Sequence, residues 1–243
     1  MFISDEYKLI VMLPQKCASK TIQMRLDSLR SPDSLDSAVS YHEGVQRFIG
    51  KHVTLKTAFE LRAFDSREGY HKVCFVRNPY DRVYSWFNWI RRSLGKSVSE
   101  LAGDGREPER LLHIKRSRER IIKRMEAASY DFNLYLQANE KSFKPAYKFT
   151  HFGRKCYMDF VGHQESFERD YDQMIKMFKL PATIKVDGNV QNSVRSDKKP
   201  SEMKVEDYQY AQYYDKKSAK IINKRFKKDF KFYGYPLINQ SSV

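Results

Sequence analysis

The sequence predicts an α/β protein with a single domain over residues 1–243, built on a central parallel sheet flanked by helices. Two segments support this fold class, because residues 9–13 and residues 73–76 are continuous apolar runs that each lead into a turn and a helix. Such runs are typical of parallel strands that are covered by helices on both faces of the sheet. The hydrophobic content of 41% and the aromatic content of 14% fit one domain with a full core.

The first predicted strand, residues 9–13, leads into a polar loop and a helix. Apolar residues recur at helical spacing after the loop: Ile22, Leu26 and Leu29. The helix is therefore predicted to begin near residues 19–21, where unpaired backbone N–H groups and the helix dipole favour an anion. Lys16 and Lys20 add positive charge, and Ser19 and Thr21 add hydroxyl groups. The alternative is that Ser19 only caps the helix and that the lysines are solvated.

The second predicted strand, residues 73–76, ends at an Asn-Pro turn that is followed by a helix. Arg77 is thereby placed at the carboxyl end of a parallel strand, the edge where ligands bind in open α/β sheets. Ser85 lies two turns into the helix and can face the same crevice, and Asp81 is predicted to cap the helix. The alternative is that Arg77 is an ordinary surface residue. Two such loops in one chain indicate a ligand with anionic groups at two places.

The two loops resemble those of a known family. Residues 16–21, Lys-Cys-Ala-Ser-Lys-Thr, resemble the 5′-phosphosulfate loop of sulfotransferases, written P-K-x-A-S-T-[ST], and residues 75–82 with Ser85 resemble their 3′-phosphate motif. Four more segments are similar to family motifs in the same order: 51–54 (K-H-x-T), 160–167 (F-x-G-R-F-E-N-L), 189–195 (N-x-S-x-R) and 213–235 (Y-Y-D and D-F-x-x-F-G-Y). Within that family, these motifs resemble those of Golgi-type carbohydrate sulfotransferases that act on heparan or chondroitin and those of their bacterial relatives. This resemblance implies the P-loop-like sulfotransferase fold.

The resemblance also implies a reaction. A sulfuryl group would move from 3′-phosphoadenosine 5′-phosphosulfate (PAPS) to an acceptor hydroxyl or amine, on a carbohydrate, and no metal would be required. Lys16 would stabilise charge on the leaving oxygen, and His52 would be the base, with His42 as the rival base. Carried over residue by residue, the donor-binding set is Lys16, Cys17, Ala18, Ser19, Lys20, Thr21, Ile22, Arg77, Ser85 and Arg195.

Three residues depart from the family motifs. Gln15 stands in place of Pro, Lys20 in place of Thr, and His163 in place of Arg. Lysine still binds phosphate, although as a point charge instead of a directed hydroxyl donor. These departures leave open a scaffold without catalytic activity that binds a nucleotide or a polyanion.

Two other protein classes share parts of the pattern. A P-loop kinase would require a GxxxxGK[ST] loop and carboxylates for magnesium, and the sequence has no such loop. A nucleic-acid or polyanion-binding module would explain the charge but would leave Arg77 and Ser85 without a role. We therefore expect no nucleic-acid partner.

The formal net charge of +15 implies anionic partners. Basic residues concentrate in residues 91–124 and 216–231, where solvated helix faces with interleaved acidic residues are the simpler interpretation and a groove for an acidic glycan is the alternative. Aromatic residues follow the second loop at a spacing typical of core packing, with a glycan surface as the alternative: Tyr84, Trp86 and Trp89. The acceptor is left open as an anionic or neutral glycan or a small molecule.

Cysteine usage and hydropathy give expectations about compartment. Cys17, Cys74 and Cys156 show no CxxC spacing and no Cys/His cluster, so neither a metal site nor a disulfide framework is expected. No segment approaches a membrane span and the first residues lack a basic signal region, which favours a soluble, cytoplasmic protein.

Three further regions complete the prediction. Residues 94–130 are predicted as a charged insertion that is loop first and helix later, and residues 167–178 as a helix. Residues 187–201 are predicted as a long loop near the active site. Polar side chains of that loop could meet the donor or the acceptor: Asn192, Arg195, Lys198 and Lys199.

Overall fold

The structure, a computed structural model, describes residues 1–32, 34–35, 40–42, 47–102, 108–181, 202–204, 207–208 and 210–238. In chain order the strands and helices are β1 (Phe2–Ser4), β2 (Leu9–Met12), α1 (Ser19–Arg25), β3 (Ser40–His42), β4 (Arg47–Ile49), α2 (Leu55–Glu60), β5 (His71–Val76), α3 (Pro79–Ser93), α4 (Val98–Ala102), α5 (Pro108–Ala127), α6 (Phe132–Asn139), α7 (Tyr147–Thr150), β6 (His151–Phe152), β7 (Lys155–Cys156), β8 (Phe160–His163), α8 (Phe167–Met177), α9 (Lys216–Arg225) and α10 (Lys227–Tyr233).

The central sheet has the strand order β1-β2-β5-β8. Strand β5 pairs in parallel with both β2 and β8, whereas β1 is an antiparallel edge strand with Phe2 opposite Val11. The predicted fold class is confirmed, since a mostly parallel sheet lies between helices in a single domain. The edge strand β1 was not predicted.

Side chains of the two central strands alternate between two hydrophobic cores. Ile10, Met12, Cys74 and Val76 point into the core covered by helices such as α3, α6, α9 and α10. Leu9, Val11, Val73 and Phe75 point into the opposite core, beneath α1 and α8. Because both faces are buried, each strand reads as an unbroken apolar run in the sequence.

Strand β8 carries a glycine where the sheet leaves no room for a side chain. Gly162 lies opposite Phe75, and a Cβ atom at Gly162 would stand 2.4 Å from a ring carbon of Phe75. Gly162 therefore lets the Phe75 ring lie flat across the sheet.

The carboxyl ends of β2 and β5 lie side by side, because the strands are parallel with Met12 opposite Cys74. Both predicted loops therefore meet at one edge of the sheet. The predicted cap of α3 is wrong, since the Asn78 side chain is the cap and accepts a hydrogen bond from the Tyr80 N–H at 2.9 Å. Pro79 takes the first helical position, which suits its missing N–H and places Asn78 at the cap.

Outside the central sheet, the prediction for α8 is confirmed within one residue. Residues 94–130 contain more helix than predicted, because α4 precedes the long α5, while residues 103–107 lie outside the described part. The predicted loop at 187–201 also lies outside the described residues, together with Asn192, Arg195, Lys198 and Lys199. No helix in the described ranges is long and apolar enough to cross a membrane.

Candidate functional site

A cavity of about 510 Å³ contains residues from both loops. Its volume falls within the range of about 300–1,000 Å³ that is typical of small-molecule sites. Its described lining includes four cationic side chains and no carboxylate: the lining residues are Gln15, Lys16, Ala18, Ser19, Lys20, Thr21, Lys51, His52, Arg77, Ser85, Trp86, Trp89 and Gln164. This charge distribution favours an anionic ligand.

The loop between β2 and α1 is held in a special backbone conformation. Lys16 and Ala18 have φ values of 64° and 58°, in the left-handed region that residues with a side chain seldom adopt. The Ser19 hydroxyl donates to the Pro14 carbonyl at 2.8 Å, which ties the end of the loop to its beginning. Strained conformations of this kind persist where surrounding contacts enforce them, and they concentrate at functional sites.

Two arginines of the second loop and α3 hold the first loop. Arg77 donates from Nη1 to the Lys16 carbonyl at 3.4 Å, and Arg82 donates from Nε to the Gln15 carbonyl at 3.0 Å. Arg82 also donates to the Lys144 carbonyl. Consecutive carbonyls of the first loop are thus bound by the second segment, so the two loops form one unit.

Arg82 is itself anchored by a buried carboxylate from α10. Its Nη1 lies 3.6 Å from Oδ2 of Asp229, and both side chains are buried. Asp229 accepts hydrogen bonds from the backbone N–H groups of Ala146 at 2.7 Å and Tyr147 at 2.9 Å. Burial raises the pKa of Asp229 to about 6, against the opposite effects of Arg82 and these N–H groups. The shape of the first loop therefore depends on a contact with the last helix.

His52 lines the cavity with its tautomer set by a backbone contact. Nδ1 lies 2.7 Å from the Leu13 carbonyl, which can only accept, so Nδ1 carries the proton and Nε2 keeps its lone pair. Burial lowers the pKa of His52 to about 3, and the charge of Lys51 acts in the same direction. His52 is therefore neutral at physiological pH and able to accept a proton at Nε2. The rival base His42 is not among the described lining residues.

Lys16 lies near several other cationic side chains. Burial lowers the pKa of its ammonium to about 8, and the charges of Arg77, Arg92 and Lys51 act in the same direction. Lys51 donates to the Gln23 side chain at 2.8 Å, which holds its charge beside the cavity. Cations held this close together repel one another, so the protein favours an anion that would relieve the repulsion.

Comparison with known families gives the class of the protein. A model of the family described as Sulfotransferase family matches residues 1–236. The chain belongs to the sulfotransferase family. Membership of this family implies a nucleotide donor and an acceptor substrate. Searches of curated proteins and of solved structures gave no match.

Most of the predicted donor-binding residues of this sulfotransferase come together in the cavity. The residues that line it are Lys16, Ala18, Ser19, Lys20, Thr21, Arg77 and Ser85, and the predicted base His52 joins them. Cys17 and Ile22 are buried in the protein interior instead, so only their backbone could meet a ligand. Burial also raises the pKa of the Cys17 thiol to about 11. Arg195 lies outside the described residues.

Other residues of the site were not among the predicted catalytic and donor-binding residues, although a glycan surface was the alternative for Trp86 and Trp89. Five of them line the cavity: Gln15, Lys51, Trp86, Trp89 and Gln164. Arg82 is not among the described lining residues, but it supports the site by its hydrogen bond to the Gln15 carbonyl of the first loop. Lys51 precedes His52, and Gln164 and Arg82 lie within segments that resemble family motifs, so their sequence positions were the available signal.

One of the two tryptophans departs from the predicted core role, and the other packs against the core. Trp89 is 46% exposed at the cavity, so its placement in the core was wrong. Trp86 is half-buried, lines the same cavity and packs edge-to-face on Phe143 with ring centroids 5.1 Å apart. Tyr84 is half-buried against the core, as predicted.

Within the described ranges, no cluster of three or more His, Cys, Asp or Glu residues is arranged to hold a metal ion. His163, which stands in place of the family's Arg, lies with Nδ1 3.4 Å from the Asp170 carboxylate and is not among the described lining residues.

Proposed function

We propose that this sulfotransferase moves a sulfuryl group from PAPS to a hydroxyl group of a carbohydrate acceptor. One observation carries the proposal: a single cavity contains the cationic and hydroxyl side chains of both loops together with His52. PAPS has anionic groups at two places, a phosphosulfate and a 3′-phosphate. The described lining offers cations to both and has no carboxylate that would repel them.

The residues present fit such a donor. Lys16, Thr21 and the backbone N–H of Ser19, whose hydroxyl donates to the Pro14 carbonyl, would hold the phosphosulfate, and Arg77 and Ser85 would hold the 3′-phosphate. Hydrogen bonds to charged phosphate oxygens are stronger than hydrogen bonds between neutral groups, so even a few donors would hold the nucleotide. Ser19, Thr21 and Arg77 are each at most 6% exposed, so little water competes for these three donors.

The donor supplies an activated sulfuryl group, and the protein supplies a base and a positive charge. His52 would take the acceptor hydroxyl proton at Nε2 as the new oxygen–sulfur bond forms. Lys16 would stabilise the charge on the phosphate oxygen released when the old oxygen–sulfur bond breaks. The low pKa of His52 belongs to the protein without donor, and phosphate charges in the cavity would raise it because they favour the imidazolium ion.

The experiment is a thermal shift with 3′-phosphoadenosine 5′-phosphate (PAP), followed by transfer assays with labelled PAPS and unsulfated glycan acceptors. We expect stabilisation at saturating PAP and label on the glycan. Absence of stabilisation would overturn the donor assignment.

A second candidate function is nucleotide binding without transfer. It is favoured by Gln15 and Lys20, which depart from the family loop and both line the cavity. Stabilisation by PAP together with no transfer to any acceptor would support this scaffold role.

A further inference from the structure

An exposed indole stands at the donor cavity. Trp89 is 46% exposed and lines the cavity together with Trp86. Ser85 and Trp89 are four residues apart on α3 and therefore share one face of the helix. Ligand pockets are concave and lined mainly by apolar and aromatic side chains, so an indole exposed within this cavity is placed to contact a ligand.

Burial separates the two ends of the cavity. Three of the five residues assigned to the anionic groups of the donor lie deep, with Ser19 at 6%, Thr21 at 3% and Arg77 at 5% exposure, and the other two, Lys16 and Ser85, are half-buried. Trp89 is more exposed than any of them. With the donor on these residues, the exposed end of the cavity at Trp89 is the part left for an acceptor.

Charge indicates what kind of acceptor fits that end. The described lining has four cations, Lys16, Lys20, Lys51 and Arg77. At neutral pH the phosphosulfate and 3′-phosphate together carry about four negative charges, which would balance them. Apart from the proposed base His52, the remaining large side chains of the lining are uncharged: Gln15, Trp86, Trp89 and Gln164. Two indoles and two amides suit a sugar ring, which has an apolar C–H face and hydroxyl groups that exchange hydrogen bonds with amides.

We propose that Trp89, together with Trp86, forms the acceptor platform. The indole of Trp89 stacks on the apolar face of an uncharged sugar unit of the acceptor. That sugar unit presents its hydroxyl to Nε2 of His52. This inference rests on the proposed function, because it places an acceptor beside a bound nucleotide. It makes Trp89 a residue of acceptor binding and excludes it from donor binding.

The kinetic test compares Trp89→Ala, Trp89→Phe and wild type with unsulfated chondroitin and heparosan tetrasaccharides as acceptors. We expect Trp89→Ala to raise the acceptor KM about tenfold and Trp89→Phe to restore most of the loss, because a phenyl ring still stacks. The dissociation constant for PAP should stay within about twofold of wild type. Tyr130→Ala, which removes an equally exposed ring of 48% exposure outside the described lining, is the matched control.

Fluorescence gives a direct binding signal, because the chain has only two tryptophans and both line the cavity. Trp86→Phe leaves Trp89 as the only indole. Titrating this variant, saturated with PAP, with either tetrasaccharide should change the emission of Trp89 with a saturable dependence on concentration.

Three results would overturn the platform. The first is an unchanged acceptor KM in Trp89→Ala together with unchanged emission. The second is a loss of PAP affinity in Trp89→Ala, which would place the indole against the donor. The third is Trp89-dependent transfer to 2-naphthol but to neither tetrasaccharide, which would mean that the indole stacks on an aromatic acceptor and not on a sugar. Failure of PAP to bind wild type would instead overturn the proposed function itself, so the two failures are distinguishable.

Discussion

We predict that PAP binding depends on pH through the half-buried ammonium of Lys16. Burial lowers the pKa of Lys16 to about 8, with the charges of Arg77 and Arg92 acting in the same direction. Phosphate groups in the cavity favour the charged ammonium, so its pKa rises in the complex. The form that binds is protonated, and the free protein loses that proton as the pH rises through 8. Affinity is therefore full below pH 8 and falls above it, with uptake of a proton on binding.

The size of this pH dependence follows from how far the pKa of Lys16 is lowered. The pKa of about 8 compares with an ordinary lysine pKa of 10.5, a difference of about 2.5. At about 1.36 kcal/mol per unit, full restoration in the complex corresponds to at most about 3.4 kcal/mol of binding free energy. Affinity then falls about tenfold per pH unit above 8, which gives roughly a 20-fold loss between pH 7.5 and 9.5.

The assay is isothermal titration calorimetry with PAP across that range, in two buffers of different ionisation enthalpy so that the protons taken up are counted. Lys16→Arg is the matched control, because arginine stays charged throughout this range. Other groups titrate lower, since a phosphate monoester has its second pKa near 6 and burial raises the pKa of Asp81 to about 7. Wild-type affinity that does not change with pH would refute the reasoning. An equal loss in Lys16→Arg would refute it too.

Three other predictions test separate parts of the structure. His52→Ala should lower turnover by at least about a hundredfold and leave PAP affinity nearly unchanged, since a general base acts only in the reaction; wild-type turnover in that variant would remove His52 from the mechanism. Asp229→Asn leaves Arg82 buried without a counter-charge, so urea unfolding should show a loss of about 3–5 kcal/mol, and a loss under about 1 kcal/mol would show that the pair is not needed. Gly162→Ala places a Cβ against the Phe75 ring, and its unfolding free energy should drop by about 1–3 kcal/mol; an unchanged value would mean that the ring moves aside freely.

Local sequence signals were enough for the central strands and for the loops that follow them. Strands β2 and β5 are buried on both faces, so their apolar runs are visible without knowledge of the partners. The edge strand β1 has only three residues, Phe2–Ser4, which is too short for any periodic pattern. The Asp81 cap prediction failed because Asp81 lies in the third helical position, where it is buried and accepts from the Tyr210 N–H at 3.3 Å.

The parts of the site that escaped prediction depend on distant contacts. Arg82 follows the second loop, but its role requires Asp229 near the end of the chain and a carbonyl of the first loop. Trp89 was predicted to lie in the core because its helical spacing is typical of core residues. The spacing alone does not show that this part of the helix borders a cavity. Both features depend on contacts between segments that are far apart in the chain, and a single sequence does not show which distant segments are in contact.

The central claim is that one nucleotide occupies both loops, and the most direct test is a calorimetric comparison of PAP with adenosine 5′-phosphate. Wild type should bind PAP at least about tenfold more tightly, because a hydrogen bond to a charged group contributes about 1.5–3 kcal/mol. Ser85→Ala should lower PAP affinity about tenfold and leave adenosine 5′-phosphate affinity unchanged. Equal affinities of wild type for the two nucleotides, or equal losses for both in Ser85→Ala, would contradict the claim that the second loop holds a 3′-phosphate.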